Sequence, residues 1–479
     1  MINLDPVDLL IIAIYIILLL YVGYRTFRQT NKSQQNDFLL ANRSLTLPSF
    51  VATLVTTWYG GILGIGEFAY SYGLSTWIVF GLPYYIFALL YALILAPKIR
   101  QAGVFTIADM LYLKYNKPVG LFGSICLLFM TTPAPYILIV ALIIQIILGW
   151  SFFVCLLAGT FFSMIYIYWG GFRSVVRTNE LQFILMYSSF IILLGFAIVH
   201  FGGWSYLKTN LPPLHLNWHG SNSIQYILVW FFIAFWTFVD PGFHQRCSAA
   251  KSAELARKGI LVSVIFWFIF DFLTLSTGLY AAAGLKDIKP VLAYPLLAST
   301  ILPPLLKGFF FAGMLAVVMS TIVSYTLLSA ITFGHDIIWR SKKNADENRS
   351  VLLTRTGLIV TAIVSILLVW LIPSVIQLWY VIGTLFIPPM LLPLVTTYYP
   401  QFRFKSWPTF TIMLLSFGIS FFWFTWGQMH KVQGLVEYPF SLEPFFPGLL
   451  VSIVIYLLGI ILRKLKTSFR GDAASGGLE

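Results

Sequence analysis

The sequence predicts an all-α polytopic membrane protein with thirteen transmembrane helices, and three observations predict it. Of 479 residues, 59% are hydrophobic and 10% charged, whereas soluble domains carry about a quarter charged residues. Apolar runs of about 18 residues or more, the length a helix needs to cross hydrocarbon, recur thirteen times. The loops between these runs alternate in charge. A chain with so little polar surface and a mean hydropathy of +0.86 cannot cover a water-facing globule. Soluble enzymes, disordered chains and collagen-like chains are thereby excluded. The 17% aromatic content fits, because Trp and Tyr collect at the headgroup level.

In chain order the expected spans are 6–26, 47–71, 76–97, 118–146, 151–170, 180–201, 223–243, 258–283, 300–338, 353–372, 375–398, 408–427 and 444–463. Asp5 and Asp8 precede the first run and Arg25 and Arg28 follow it. That order is the reverse of a secretory signal, so a retained first helix is expected. The loops after spans one, three, five, seven, nine, eleven and thirteen hold twenty-five of the 30 Lys and Arg, with Arg246 counted in the loop after span seven. The opposite loops hold only Lys208, Lys286, Lys289, Lys307 and Lys431. By the positive-inside rule the N-terminus lies outside and the C-terminus is cytoplasmic, in the plasma (inner) membrane. The net charge of +13 is therefore a topology signal, and no nucleic-acid partner is expected. Cys126, Cys155 and Cys247 form no CxxC and read as packing residues.

The loops at 202–222, 284–299 and 428–443 are too short to bury a core, so the activity lies within the bilayer. No HExxH, Gly-x-Ser-x-Gly or paired intramembrane His/Asp motif is present, and no enzymatic activity is expected. His200, His215, His219, His244, His335 and His430 all fall at helix ends or in loops. Helix interruptions carry more information. In span two, Thr56 and Thr57 precede Gly60, Gly61, Gly64 and Gly66. Glycines there permit either close packing or departure from helical geometry, and the adjacent threonines favour a break. Span seven ends Phe235-Trp-Thr-Phe-Val-Asp-Pro-Gly242, a second interruption. Two broken segments in corresponding positions point to an inverted repeat with a binding site at mid-membrane. In span nine, Ser320, Thr321 and Ser324 form a third polar spot. Their hydroxyls either bond back to their own helix or reach one small hard cation, which prefers oxygen ligands.

Several segments together resemble the sodium:solute symporter family. Gln245-Arg-Cys-Ser-Ala-Ala-Lys251, continuing to Glu254-Leu-Ala-Arg-Lys-Gly259, is similar to the family's loop after core helix 6. Met319-Ser-Thr321 with Thr332 and Asp336 resembles its core helix 8. Gly170-Gly-Phe-Arg-Ser-Val-Val-Arg-Thr178 with Gln182 resembles the entry to core helix 5, and Gly64 with Tyr72-Gly73 the end of core helix 1. The resemblance implies a LeuT-type five-plus-five inverted repeat, one helix before the core and two after it. The expected units are 1–46, a first repeat 47–202, a second repeat 203–400 and a C-terminal pair 401–479. It also implies alternating-access import of a small-molecule solute coupled to Na+. By position, the sodium ligands are the hydroxyls of Ser320 and Thr321 with the carbonyls of Val317, Leu54 and Thr57. One departure stands out: the family's Asp after the helix 5 entry is Asn179. An amide lends no charge to a cation, and Glu180 points about 100° away along the helix. Weaker sodium dependence and no second sodium site are therefore expected.

The implied cavity is expected to be lined by Thr56, Trp58, Tyr59, Tyr84, Tyr85, Thr131, Thr132, Phe232 and Trp236. Glu67, Asp240 and Asp271 are acids within or near hydrocarbon, where carboxylates are costly. Asp240 is read either as a substrate or gating contact or as a cap after the break. Basic residues are absent from the middle of spans two to eight, which leaves no arginine clamp for a sialic-acid-type carboxylate. Gly60 and Gly61 stand where the family's sugar carriers place amide side chains. What remains is an amino acid or similar solute held partly by backbone amides, or an amine facing the acids, and the sequence does not choose between them. The expected protein is a sodium-coupled importer in the lipid bilayer, functional as a monomer. The rivals are a transporter-like sensor that signals through a partner chain and a channel.

Overall fold

A computed structural model describes residues 2–29, 35–165, 167–340, 347–432 and 435–475. Among the described residues, twelve helices are long and apolar enough to cross a membrane. They coincide with twelve of the thirteen expected spans. The remaining one, 151–170, meets the shorter helix Phe152–Ile165, and residue 166 lies outside the described residues. Two boundaries are corrected. Expected span seven stops at 243, but its helical segment runs on from Ile224 to Ala249. Expected span nine starts later than 300, at Leu306, and the expected loop 284–299 holds most of a short helix, Pro290–Ile301.

The start of the long helix is held by a contact from another helix. Leu305 adopts a left-handed φ of 75°. The fully buried Asp8, from the first helix, accepts hydrogen bonds from the amides of Leu305 at 2.9 Å and Gly308 at 2.8 Å. These are N-terminal amides with no partner inside their own helix. A carboxylate there also complements the helix dipole, so Asp8 staples the N-terminal helix to the start of Leu306–Ile331.

Burial separates core from periphery. Every residue in the most apolar window of Leu306–Trp339 is buried, as are 83% in that of Leu47–Tyr72. The windows of Pro6–Thr26, Ser406–Met429 and Phe445–Arg463 are only 28% buried, so these helices present most of their apolar surface outward, as lipid contact requires. Leu47–Tyr72 is broken at its centre. An α-helix ends at Trp58, a 3-10 turn spans Tyr59–Gly61, and a new α-helix runs Ile62–Tyr72. The second interruption divides Ile224–Ile233, Trp236–Val239 and Pro241–Ala249. Gly60 and Gly61 serve packing as well as the break. A Cβ on Gly60 would overlap Thr321, and one on Gly61 would overlap the Trp379 ring.

Candidate functional site

The break in Leu47–Tyr72 leaves the carbonyls of Thr56 and Thr57 in the last turn of an α-helix, where the ladder offers them no regular partner. The long buried helix Leu306–Ile331 passes at this level. Ser320 Oγ donates to the Thr56 carbonyl at 2.9 Å and to that of Val317 at 2.6 Å. Thr321 Oγ1 donates to the Thr57 carbonyl at 2.9 Å and approaches those of Thr56 and Val317 at 3.4 Å each. Two hydroxyl and three carbonyl oxygens thus converge with no nitrogen or sulfur among them, a donor set suited to a small hard cation. The carbonyls reached by the two hydroxyls belong to Thr56 and Thr57. Leu54 sits one turn earlier, at the edge of a small neighbouring cavity.

A layer of hydroxyls lies beside this set. Thr57 Oγ1 is 3.0 Å from Ser324 Oγ. Asn179 Nδ2 donates to Thr53 Oγ1 at 2.8 Å and to Thr57 Oγ1 at 3.2 Å. Glu180 faces elsewhere and accepts from Ser49 at 2.5 Å and from Arg177 at 2.9 Å. The same hydroxyls receive a group that the loop assignment missed. Arg246 is fully buried in Pro241–Ala249. Its Nη2 donates to Thr57 at 2.9 Å, Ser324 at 3.0 Å and Thr53 at 3.3 Å, and its guanidinium lies 5.4 Å from the Phe172 ring centroid. The expectation of no basic residue deep in these spans is therefore corrected. Counting apolar residues ended the helix at 243 because His244-Gln-Arg is polar, although all three side chains are buried.

Asp240 starts that helix. Its Oδ1 accepts from the Phe243 amide at 2.9 Å, an N-cap, and its Oδ2 accepts from the Tyr325 hydroxyl at 2.8 Å. Asp240 and Arg246 border a space of about 190 Å³ together with Leu54, Thr57, Trp58 and Tyr325.

Adjoining it across Trp58 and Tyr325 is a larger cleft, partly open to solvent. Trp58, Tyr59, Tyr84 and Trp236, all expected from the sequence, line it. Phe80, Tyr136, Trp230, Tyr325 and Trp379 complete an aromatic wall, with Gly61, Ile65, Ile233 and Asp271. Tyr85 is outside the lining but donates to Asp271 Oδ2, while Tyr59 donates to Oδ1 at 2.9 Å. Thr56, Thr131, Thr132, Phe232 and Asp240 do not line the cleft. Thr56 bonds back to the Ala52 carbonyl at 2.8 Å, Thr131 to that of Leu127 at 2.8 Å, and Thr132 Oγ1 lies 3.2 Å from Ser365 Oγ. Sequence spacing shows that a hydroxyl exists, whereas its rotamer decides whether it faces a cavity or its own helix. Trp379 and Tyr136 come from helices whose uniform hydrophobicity gave no signal of an inward face.

The profile of the sodium:solute symporter family matches residues 38–402. The chain is 24% identical to the osmoregulated proline transporter of Bacillus subtilis, with 96% of each chain covered. It is 27% identical to the sodium/pantothenate symporter of Haemophilus influenzae, covering 71% of this chain and 74% of that one. Among solved structures, its fold matches a Na+-coupled sialic acid symporter in a substrate-bound outward-open state. The TM-score is 0.79 at 16% identity, over 97% of this chain and 98% of the other. A nucleobase–cation symporter holding bromovinylhydantoin matches at a TM-score of 0.60 and 14% identity, over 90% of this chain and 95% of that one. A family profile spanning most of the chain, on a fold shared with cation-coupled transporters, leads to one conclusion: the chain belongs to the sodium:solute symporter family.

Proposed function

We propose that the chain imports a small organic solute by sodium-coupled alternating access, with sodium carried at the Ser320–Thr321 crossing and the solute in the aromatic cleft above it. The observation that carries this reading is the convergence of two hydroxyls and three carbonyls at a helix break. Sodium is cargo here, bound with the solute and released with it. The proposed ligands are the hydroxyls of Ser320 and Thr321 and the carbonyls of Val317, Thr56 and Thr57. The last two come from the broken helix, and Trp58 and Tyr59, which follow them directly, line the cleft. Ion and solute thereby bear on the same turn of backbone, which is the coupling that symport requires. Spans two to eleven form the two inverted repeats in this reading, with the N-terminus outside and the protein in the plasma membrane.

Arg246 and Asn179 set the strength of the ion site. An arginine that shares the Thr57 hydroxyl places a fixed positive charge beside the cation, and Asn179 supplies no negative charge to offset it. One sodium per cycle and modest sodium affinity follow. The experiment is uptake into proteoliposomes with and without an inward sodium gradient. Accumulation above equilibrium only with the gradient supports symport. Equilibration alone means a channel, and binding without movement means a sensor.

A further inference from the structure

The cleft carries a chemical preference that extends the reading above and rests on it. Nine of its thirteen lining residues are aromatic. Asp271 is its single charged residue, and no Lys, Arg or His lines it. No described basic side chain forms an ion pair with Asp271; its partners are the hydroxyls of Tyr59 and Tyr85, one on each oxygen. These hydroxyls hold the carboxylate in one orientation and leave each oxygen a further lone pair. Asp271 is partly buried and lines the cleft, so a solute that enters it meets the carboxylate.

A carboxylate at mid-membrane without a cation is costly, and an aromatic wall solvates anions poorly. Both features favour the same visitor. Aromatic faces attract a positive charge through the ring quadrupole, most strongly when water is excluded, and alkylated ammonium groups are the ligands that aromatic cages recognise. Arg246 does not contradict this, because it borders the smaller space beneath Trp58 and Tyr325 rather than the cleft itself.

We propose that the transported solute carries an alkylated ammonium nitrogen, seated in the aromatic cage against the Asp271 carboxylate. Asp271 is then the specificity-determining residue of the cleft, and Tyr59 and Tyr85 are positioning residues that aim it.

The test uses the purified full-length protein in detergent with saturating sodium. Radiolabelled choline and glycine betaine are the probes, and the neutral choline isostere with carbon in place of nitrogen competes. The expected result is saturable binding of at least one ammonium probe, with the isostere at least tenfold weaker. Asp271→Asn, which keeps the side-chain shape, with its amide oxygen accepting from one tyrosine hydroxyl and its NH2 donating to the other, is expected to weaken the ammonium probe at least tenfold. Tyr85→Phe is expected to weaken it a few-fold. Radiosodium binding without solute should be unchanged in both variants, which also reports that they are folded. The proposal is overturned if neither ammonium binds, if the isostere binds as well as choline, or if Asp271→Asn binds as wild type does. Loss of radiosodium binding in the wild-type protein would instead overturn the sodium-coupled reading, so the two failures are distinguishable.

Discussion

Thr57 shows how much chemistry one residue concentrates. Its carbonyl accepts from Thr321, and its hydroxyl is shared by Ser324, Asn179 and Arg246. Two unit charges roughly 7 Å apart interact by about 2 kcal/mol at an effective dielectric near 20. Removing the arginine charge should therefore tighten sodium binding by about thirtyfold. Arg246→Gln, which removes the charge and ends two bonds short of the guanidinium nitrogen that touches the hydroxyls, is expected to lower the sodium concentration for half-maximal uptake, measured by sodium titration. Asn179→Asp should shift it in the same direction, because a carboxylate on the same hydroxyls offsets the arginine. An unchanged sodium titration in both variants would contradict this electrostatic account. Legibility at this scale was uneven. Ser320 and Thr321 stood out because neighbouring hydroxyls are conspicuous in an otherwise apolar run. Arg246 was hidden because a polar residue just past an apolar stretch looks like a loop. The hydroxyls of Thr53, Thr57 and Ser324 and the Phe172 ring, all far away in sequence, offset much of the cost of its burial.

Among the elements, the break in Leu47–Tyr72 depends on what crosses it. Gly60 is the point at which Thr321 passes, so Gly60→Ala should push the two helices apart and displace the Thr321 hydroxyl. The expected outcome is at least a tenfold loss of sodium affinity with the chain still inserted in the membrane, checked by sodium titration and by size-exclusion chromatography. At the basic-loop end, a second joint ties the short helix Ile107–Lys114 to the π-helical segment Thr332–Trp339. Thr106 donates to Asp336 at 2.8 Å, and Arg340 Nε to the buried Asp109 at 2.6 Å. Arg340 is partly exposed, so water screens the pair and softens its loss. Asp109→Ala is expected to cost about 1 kcal/mol, read as a drop of a few degrees in thermal midpoint. Helix positions were legible from apolar run length alone, because a bilayer demands it. Helix ends were less so. The start of Leu306–Ile331 is set by Asp8, nearly 300 positions earlier, and no local pattern announces a cap supplied from another helix.

For the molecule as a whole, the arrangement stacks an aromatic cleft on an oxygen-lined crossing, with a broken helix shared between them. The lipid-facing helices Pro6–Thr26, Ser406–Met429 and Phe445–Arg463 stand outside this core, which fits a fixed frame around a moving centre. Coupling requires that neither cargo move alone. Without sodium, solute entry into proteoliposomes should fall to the rate of protein-free vesicles, and without solute the vesicles should not leak sodium. The most direct measurement of the central claim is radiosodium binding to the purified protein, wild type against the Ser320→Ala/Thr321→Ala double variant. Saturable binding is expected in the wild type, and at least a tenfold loss in a variant that remains folded by thermal unfolding. Equal binding by the two proteins would place the ion elsewhere and contradict the claim.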